Sequence, residues 1–162
     1  MNNNIQYVNL EEGGVFVFGK WLKIGMSYEK VMDLFAEHIK SNNILDIPNH
    51  EGCACITLYD AEVFGFPLLT MSVFFENYEI VQITMSIDDG YFYEEASKHG
   101  INGYQNLTKY VAEKFNSTIM ESLGDTWLKY FDKTFHYETD KYSFGTSYDR
   151  DMAEYSVKMK VK

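Results

Sequence analysis

Apolar residues recur along this chain with two spacings, one typical of a helix and one typical of strands. The helical spacing places five residues on one face: Val31, Leu34, Phe35, His38 and Ile39. Ser27 precedes this face as a predicted N-cap, because its hydroxyl can accept a hydrogen bond from a first-turn N–H. Met26 and Val31 stand on either side of the cap at the spacing of a hydrophobic staple. The pattern predicts a helix that ends near "KSNN".

Strict alternation of apolar and polar residues follows in "LLTMSVFF" and "IVQITMSI", which are separated by the turn-like "ENYE". The apolar set is Leu69, Met71, Val73, Phe75, Val81, Ile83, Met85 and Ile87. The opposite set is Thr70, Ser72, Gln82, Thr84 and Ser86. Together with the preceding run "CACITLYDAEVFGF", this pattern predicts an antiparallel sheet that is buried on one face and polar on the other. "DDG" (residues 88–90) is expected to close the sheet as a turn.

The second half of the chain repeats this order of elements. After a short predicted helix that ends at Gly100, a second apolar helical face contains Leu107, Tyr110, Val111 and Phe115, each 76 residues after its counterpart in the first half. The alternating positions 142–148 lie 73 residues after 69–75, and the last-strand positions 155–161 lie 74 residues after 81–87. The three offsets differ from one another by at most three residues, a difference that insertions and deletions in loops produce.

These observations predict an α+β fold of two tandem units in one compact domain, residues 1–90 and 91–162. Each unit is a helix followed by an antiparallel meander. The helices are expected to cover one face of the sheet and to leave the other face open. A further short buried strand is predicted at Val15 to Phe18, ahead of the first helix.

The segment "IGMSYEKVMDLF" (residues 24–35) resembles the start of the repeat in β-lactamase inhibitor proteins and in related envelope lipoproteins of the SmpA/OmlA type. In those repeats a glycine, an apolar residue and a serine or threonine cap a helix that precedes a meander. Gly25, Met26 and Ser27 occupy these positions here, and Val31 and Leu34 occupy the apolar helix sites. The resemblance implies a two-unit fold that binds another protein on the open face of its sheet.

Charge and composition restrict the partners. The net charge is −10, and Arg150 is the only arginine, so nucleic acid is not an expected partner. No run of about 18 apolar residues is present, so no membrane partner is expected either. The polar N-terminal segment and the two cysteines, which are too close for an unstrained disulfide, predict a cytoplasmic protein with reduced thiols.

No group of residues forms a specific catalytic or metal-binding motif. His50, Cys53 and Cys55 supply three zinc-type ligands, but a structural zinc site has four. No helix or strand places a carboxylate partner beside His38, as a general base would require. We therefore expect no cofactor, no metal and no enzymatic activity.

Aromatic residues make up 17% of the chain, more than one helical face and one sheet face readily absorb. Several fall out of register with the inward-facing positions and are expected on the open face, where exposed aromatic side chains mark binding surfaces. The candidate protein-binding residues are Tyr59, Phe74, Trp127, Tyr130 and His136. The favoured function is a non-enzymatic protein-binding module of the inhibitor or immunity type. The alternative is a ligand-binding or enzymatic α+β domain with a cone-shaped pocket like that of NTF2.

Overall fold

Antiparallel sheets dominate the described residues, which include two continuous helices. The computed structural model describes residues 8–43, 52–59, 62–63, 66–67, 70–103, 106, 109–110, 113–114, 130–131, 134–149 and 154–162. A three-stranded sheet comprises β1 (Val8–Asn9), β2 (Gly14–Val17) and β3 (Lys20–Lys23). Two very short strands, β6 (Glu62–Val63) and β7 (Phe66–Pro67), form a separate hairpin. The helices are α1 (Tyr28–Phe35) and α2 (Asp89–Lys98). The expected α+β content with antiparallel sheet is confirmed.

The largest element is a sheet of eight strands. Its strands are β4 (Ile39–Asn43), β5 (Ala54–Leu58), β8 (Thr70–Glu76), β9 (Glu79–Asp88), β10 (Tyr130–Phe131), β11 (Thr134–Glu138), β12 (Tyr142–Asp149) and β13 (Glu154–Val161). They lie in the order β10-β11-β12-β13-β9-β8-β5-β4, and every neighbouring pair is antiparallel. The last strand of the chain therefore lies in the middle of the sheet beside β9.

Buried apolar residues of this sheet all fall on one face, which we call the inner face. Cross-strand pairs such as Ile56–Val73, Met71–Met85 and Phe144–Met159 continue this face from strand to strand. The same core cluster includes Val31 and Phe35 of α1, and from the three-stranded sheet it includes Val8, Val15, Val17 and Leu22. The small sheet and α1 thus pack against the inner face of the large sheet.

Helix α1 begins as predicted and ends earlier than predicted. The Ser27 hydroxyl accepts a hydrogen bond from the Lys30 N–H at 3.3 Å, which confirms the cap. After Phe35 the chain turns, with the His38 N–H donating to the Phe35 carbonyl at 2.8 Å. Ile39 then enters β4 opposite Leu58. Placing His38 and Ile39 on the helix was wrong, because the β-branched Ile39 is taken up by strand pairing with β5.

One register prediction in β9 was also wrong. The pairing steps from Phe74–Gln82 to Phe75–Ile80, so Val81 is the extra residue of a β-bulge. Ile80 is consequently buried with Phe75 on the inner face, while Val81 is only half-buried. The alternation resumes at Ile83 and Met85, which are fully buried as predicted. A bulge adds one residue without changing local composition, so the pattern alone does not reveal it.

Three other boundaries differ from the prediction. Asp88 still belongs to β9, and α2 begins at Asp89, so residues 88–90 join a strand directly to a helix instead of forming a turn. The run that was predicted as one strand from residue 53 is divided into β5, β6 and β7. Strands β1 and β3 extend the predicted strand at residues 15–18 into a small sheet.

The second predicted helix lies mostly outside the described residues. Residues 106, 109–110 and 113–114 are described there, and all are helical. Tyr110 packs against the core, whereas Leu107, Val111 and Phe115 lie outside the described residues. The short helix before Gly100 is confirmed as α2, and Gly100 has the positive φ of 73° that ends helices of this kind.

Two tight hairpins contain bulky residues in the left-handed region. Phe18 and Gly19 link β2 to β3, and Asn77 and Tyr78 link β8 to β9, with positive φ at both residues of each turn. Two-residue hairpins of this kind prefer glycine or asparagine. The φ of 61° at Tyr78 is therefore strained, because its Cβ approaches the neighbouring carbonyl oxygen.

Phe74 and Phe75 lie on opposite faces of the sheet and differ in burial, so their replacement by alanine should lower the free energy of unfolding by different amounts. Phe75 is 2% exposed on the inner face and meets Tyr28 edge-on at a centroid distance of 5.2 Å. Phe74 is half-buried on the opposite face. We expect Phe75→Ala to lower the free energy of unfolding by about 3–5 kcal/mol and Phe74→Ala to lower it by less than about 1.5 kcal/mol, measured by urea titration. Equal losses would contradict the assigned register.

Relief of turn strain predicts a stabilising substitution. Tyr78→Gly removes the Cβ while keeping the backbone hydrogen bond from the Tyr78 N–H to the Gly52 carbonyl at 3.0 Å. We expect the free energy of unfolding to rise by about 1 kcal/mol, since the Tyr78 ring is 60% exposed and loses little packing. Asn77→Gly is the matched control, with an expected change within about 0.5 kcal/mol, because asparagine tolerates positive φ. A loss of stability in Tyr78→Gly would show that the ring contributes more than its strain costs.

Candidate protein-binding face

The face of the large sheet opposite the core is defined here as the outer face, and strand register divides it into cross-strand rows. Row A contains Asn43, Cys55, Phe74, Gln82, Lys160, Ser143 and Glu138. Row B contains Ser41, Thr57, Ser72, Thr84, Lys158, Gly145 and His136. Row C contains Thr70, Ser86, Ser156 and Ser147. Row D contains Asp88, Glu154 and Asp149.

Small polar residues predominate in rows A to C. Most of their described side chains are half-buried, while Lys158 and Lys160 are exposed and Thr57 and Ser86 are buried beside their neighbours. The Gln82 amide donates to the Thr84 hydroxyl at 3.0 Å, a bond along the strand that orders both side chains. This face therefore presents hydroxyls, amides and ammonium groups on a strand framework, which suits hydrogen bonding to another macromolecule.

Charge on the described part of rows A and B is mainly positive. Glu138 is paired with Lys162 at 3.0 Å, whereas the exposed Lys158 and Lys160 stand among neutral neighbours. The chain as a whole carries a net charge of −10. The charge at the middle of the outer face is thus positive, whereas the net charge of the whole chain is negative.

The five predicted binding residues are not gathered in one place. Phe74 lies in row A and His136 in row B, with β9, β13 and β12 between their strands. Tyr59 follows β5 and is 36% exposed. Tyr130 lies in β10 and pairs with Phe135 of β11. Because Phe135 and His136 are adjacent in one strand, the positions of Tyr130 and His136 belong to opposite faces of the sheet. Trp127 lies outside the described residues.

Sequence reasoning missed two groups of residues. Lys158 and Lys160 alternate with the buried Val157 and Met159, so the period of two already placed them on the polar side. Tyr78 is the most exposed large aromatic among the described residues, and its place at a hairpin turn was readable from "ENYE".

The described residues contain no group of three or more His, Cys, Asp or Glu side chains arranged to hold a metal ion. Cys53 and Cys55 are free and half-buried, and burial raises the pKa of the Cys55 thiol. A raised thiol pKa lowers the thiolate fraction and hence the reactivity at neutral pH. Within the same ranges, no helix has the length and apolar character to cross a membrane.

Among the residues that the structure describes, two buried side-chain polar atoms have no hydrogen-bond partner. One is Nδ1 of His38, whose ring stacks on Phe18 at a centroid distance of 4.0 Å. The other is the hydroxyl of Tyr142, a residue that is 3% exposed and whose ring edge lies next to Gly13. Burial raises the pKa of Tyr142. The nearby Gly13 backbone lowers it by less, although its approach to the hydroxyl does not have the geometry of a hydrogen bond.

Comparison with known proteins identifies no relative of this chain. The chain matches no family model, and no curated protein or solved structure is significantly similar to it.

The buried Tyr142 hydroxyl predicts a pH-dependent difference between variants. A raised folded-state pKa favours the neutral phenol, so the stabilisation is complete below the unfolded value of about 10 and is lost as the pH rises through the folded-state pKa. We expect Tyr142→Phe to match or exceed the wild type near neutral pH, because it removes an unpaired buried hydroxyl. Between about pH 9 and pH 11 its urea midpoint should fall less than that of the wild type. If the urea midpoints of the wild type and of Tyr142→Phe fell by the same amount over this pH range, the raised pKa of Tyr142 would be contradicted.

Proposed function

We propose that this protein is a non-enzymatic protein-binding module, of the inhibitor or immunity type, that acts through the outer face of its large sheet. The observation that carries the proposal is the one-sided core. Every core-cluster residue that the large sheet contributes lies on the inner face. The outer face keeps half-buried and exposed polar side chains on the five consecutive strands from β11 to β8. Such a broad and rigid surface can hold side chains in place for a partner at little entropic cost.

The arrangement of the sheet supports two tandem units as part of this proposal. The strands before residue 89 contribute the meander β4-β5-β8-β9, and the later strands contribute β10-β11-β12-β13. The two meanders meet through their last strands, and Thr84 pairs with Lys158, the residue 74 positions later. A local two-fold axis through this pair would relate β9 to β13. The same operation would place the outer faces of both units side by side as one surface.

The cone-shaped pocket of the alternative hypothesis gains no support from the inner face. Phe35, Phe144, Leu22 and Met85 are among the largest fully buried side chains there. The buried polar residue on this face among the described ranges is the uncharged Thr146. The two ionisable side chains on this side, His38 and Tyr142, pack against Phe18 and Gly13 respectively. We therefore retain the protein-binding proposal alone.

Affinity capture with two matched arginine variants tests the proposal. Ser72→Arg places a large cation in row B, and Glu29→Arg places the same side chain on the exposed side of α1. Wild-type protein on a resin should capture a partner from native lysate in a saturable, stoichiometric manner. Ser72→Arg should reduce that capture at least about tenfold, and Glu29→Arg should leave it unchanged.

Two results would overturn the proposal. One is the absence of any saturable partner across lysates, and the other is equal capture by both arginine variants. Urea titration of each variant separates a blocked surface from a lost fold, because a folded variant keeps its transition midpoint within the range of surface substitutions.

A further inference from the structure

We infer that the outer face of the large sheet binds an acidic, extended segment of its protein partner along β13. This inference rests on the proposed protein-binding role of that face and names the chemistry of the partner. It is drawn from four exposed lysines, which we call the lysine stripe: Lys141, Lys158, Lys160 and Lys162. They lie close together on a chain whose net charge is −10.

Strand register brings these lysines together on the outer face. Lys158 and Lys160 alternate with buried residues of β13, and Lys162 continues that alternation directly after the strand. The Lys162 N–H donates to the Lys141 carbonyl at 3.1 Å, so these two residues lie opposite each other just beyond the last pair of β12 and β13. At the rise of a strand, the distance from Lys158 to Lys162 is about 14 Å.

Most of the stripe has no acidic neighbour. The residues directly beside Lys158 and Lys160 on the adjoining strands are uncharged: Thr84, Gly145, Gln82 and Ser143. Lys162 is paired with Glu138 at 3.0 Å, and Asp140 lies in the turn before Lys141. Lys141, Lys158 and Lys160 form no ion pair within the described part of the chain. In a chain of 24 acidic and 14 basic residues, the stripe is therefore a distinct positive area.

Repulsion within the stripe can be reduced by a partner. Lys141 lies directly opposite Lys162, and like charges at opposed positions destabilise a sheet. Lys158 and Lys160 are about 7 Å apart along one strand, which is within the Debye length of about 8 Å at physiological salt. Carboxylates supplied by a partner would replace these repulsions with attractions. The stripe therefore favours an anionic ligand over a neutral one.

The length of the stripe favours a short acidic segment over nucleic acid. Double-stranded DNA carries one charge per about 1.7 Å, so about eight phosphates would lie over the stripe. Any long polyanion would also extend past the stripe and meet the remainder of the chain, which is strongly negative. An anionic membrane meets the same obstacle. The stripe also contains no arginine, the residue whose planar fork binds phosphate in a bidentate manner.

An extended peptide matches the spacing of the lysines. Alternate side chains of a strand point to one side and repeat about every 7 Å, as the lysines of β13 do. A segment with acidic residues at alternate positions, laid along β13, can thus place one carboxylate over each lysine. The half-buried Gln82 and Ser143 on either side of Lys160 can form hydrogen bonds to such a segment. Phe74, two strands away in row A, offers an apolar contact at about 10 Å.

NMR titration of the isotope-labelled full-length protein tests the inference with two synthetic peptides of equal composition. One peptide alternates three glutamates with three threonines, and the other has the three glutamates in succession. At about 0.1 M salt, we expect the alternating peptide to shift the backbone amides of residues 141–143 and 158–162, with a dissociation constant below about 1 mM. Its isomer should bind at least about threefold more weakly, because an extended chain cannot turn three successive side chains to one side.

Charge reversal within the stripe should weaken binding of the alternating peptide. Lys158→Glu and Lys160→Glu should each raise the dissociation constant at least about fivefold, because each replaces an attraction with a repulsion. Lys30→Glu is the matched control, since it makes the same change in net charge at an exposed position of α1. It should change the constant less than about twofold. A urea midpoint close to that of the wild type shows that a variant is folded.

Three results with the peptides would overturn the inference: no saturable shift at up to about 5 mM alternating peptide, equal affinity for the two isomers, or equal weakening by Lys160→Glu and Lys30→Glu. Two phosphate-bearing probes complete the test, a thymidine decamer and phosphatidylcholine vesicles with about 20% phosphatidylserine. Tighter binding of either probe than of the alternating peptide would reject the acidic segment in favour of a phosphate ligand.

The capture experiment separates this inference from the proposed function. Saturable capture of a partner that Lys160→Glu leaves intact would keep the protein-binding role and remove only the acidic segment. Binding of the alternating peptide without any captured partner would instead remove the inhibitor or immunity role and keep the stripe as a carboxylate-binding site.

Discussion

The antiparallel pairing of β9 with β13 is the contact on which the remaining structure depends. Both strands are central, and each presents two fully buried residues to the core: Ile83 and Met85, and Val157 and Met159. Without this pairing the chain would contain two separate four-stranded meanders with their longest strands at an edge. Each buried side chain of this kind contributes about 1.5–3 kcal/mol of apolar burial, and the pairing lets both meanders share one core.

The same pairing generates the outer face. When two strands are in register, their polar positions are aligned as well as their apolar ones. Lys158 beside Thr84 and Ser156 beside Ser86 are consequences of the register that puts Val157 beside Met85. The charge pattern of the outer face is therefore fixed by the core, and no separate element is needed to position it.

Local signals in the sequence predicted several elements and their inward-facing residues, but did not predict the element boundaries or the order of the strands. The cap at Ser27 and the inward residues of β8 and β13 follow from hydrogen bonding and from the period of two. The bulge at Val81 and the exit of Ile39 from the helix depend on partners that are distant in sequence. The candidate site shows the same limit. The alternation of side chains placed Phe74 and His136 on one face of the sheet, but it did not reveal that three strands lie between them. Tandem units, the resemblance to inhibitor proteins and the identity of any partner remain predictions.

The order of the strands also has a consequence for the way in which another protein can approach. Among the described residues, the sheet ends in the two-residue strand β10 and in β4, whose register is interrupted between Ile39 and Ser41. Short or irregular edge strands offer few aligned main-chain groups to an incoming strand and so discourage edge-to-edge addition. The described edges thus favour the outer face over main-chain hydrogen bonding for the proposed protein-binding role. The side chains on that face can change without disturbing the backbone ladder.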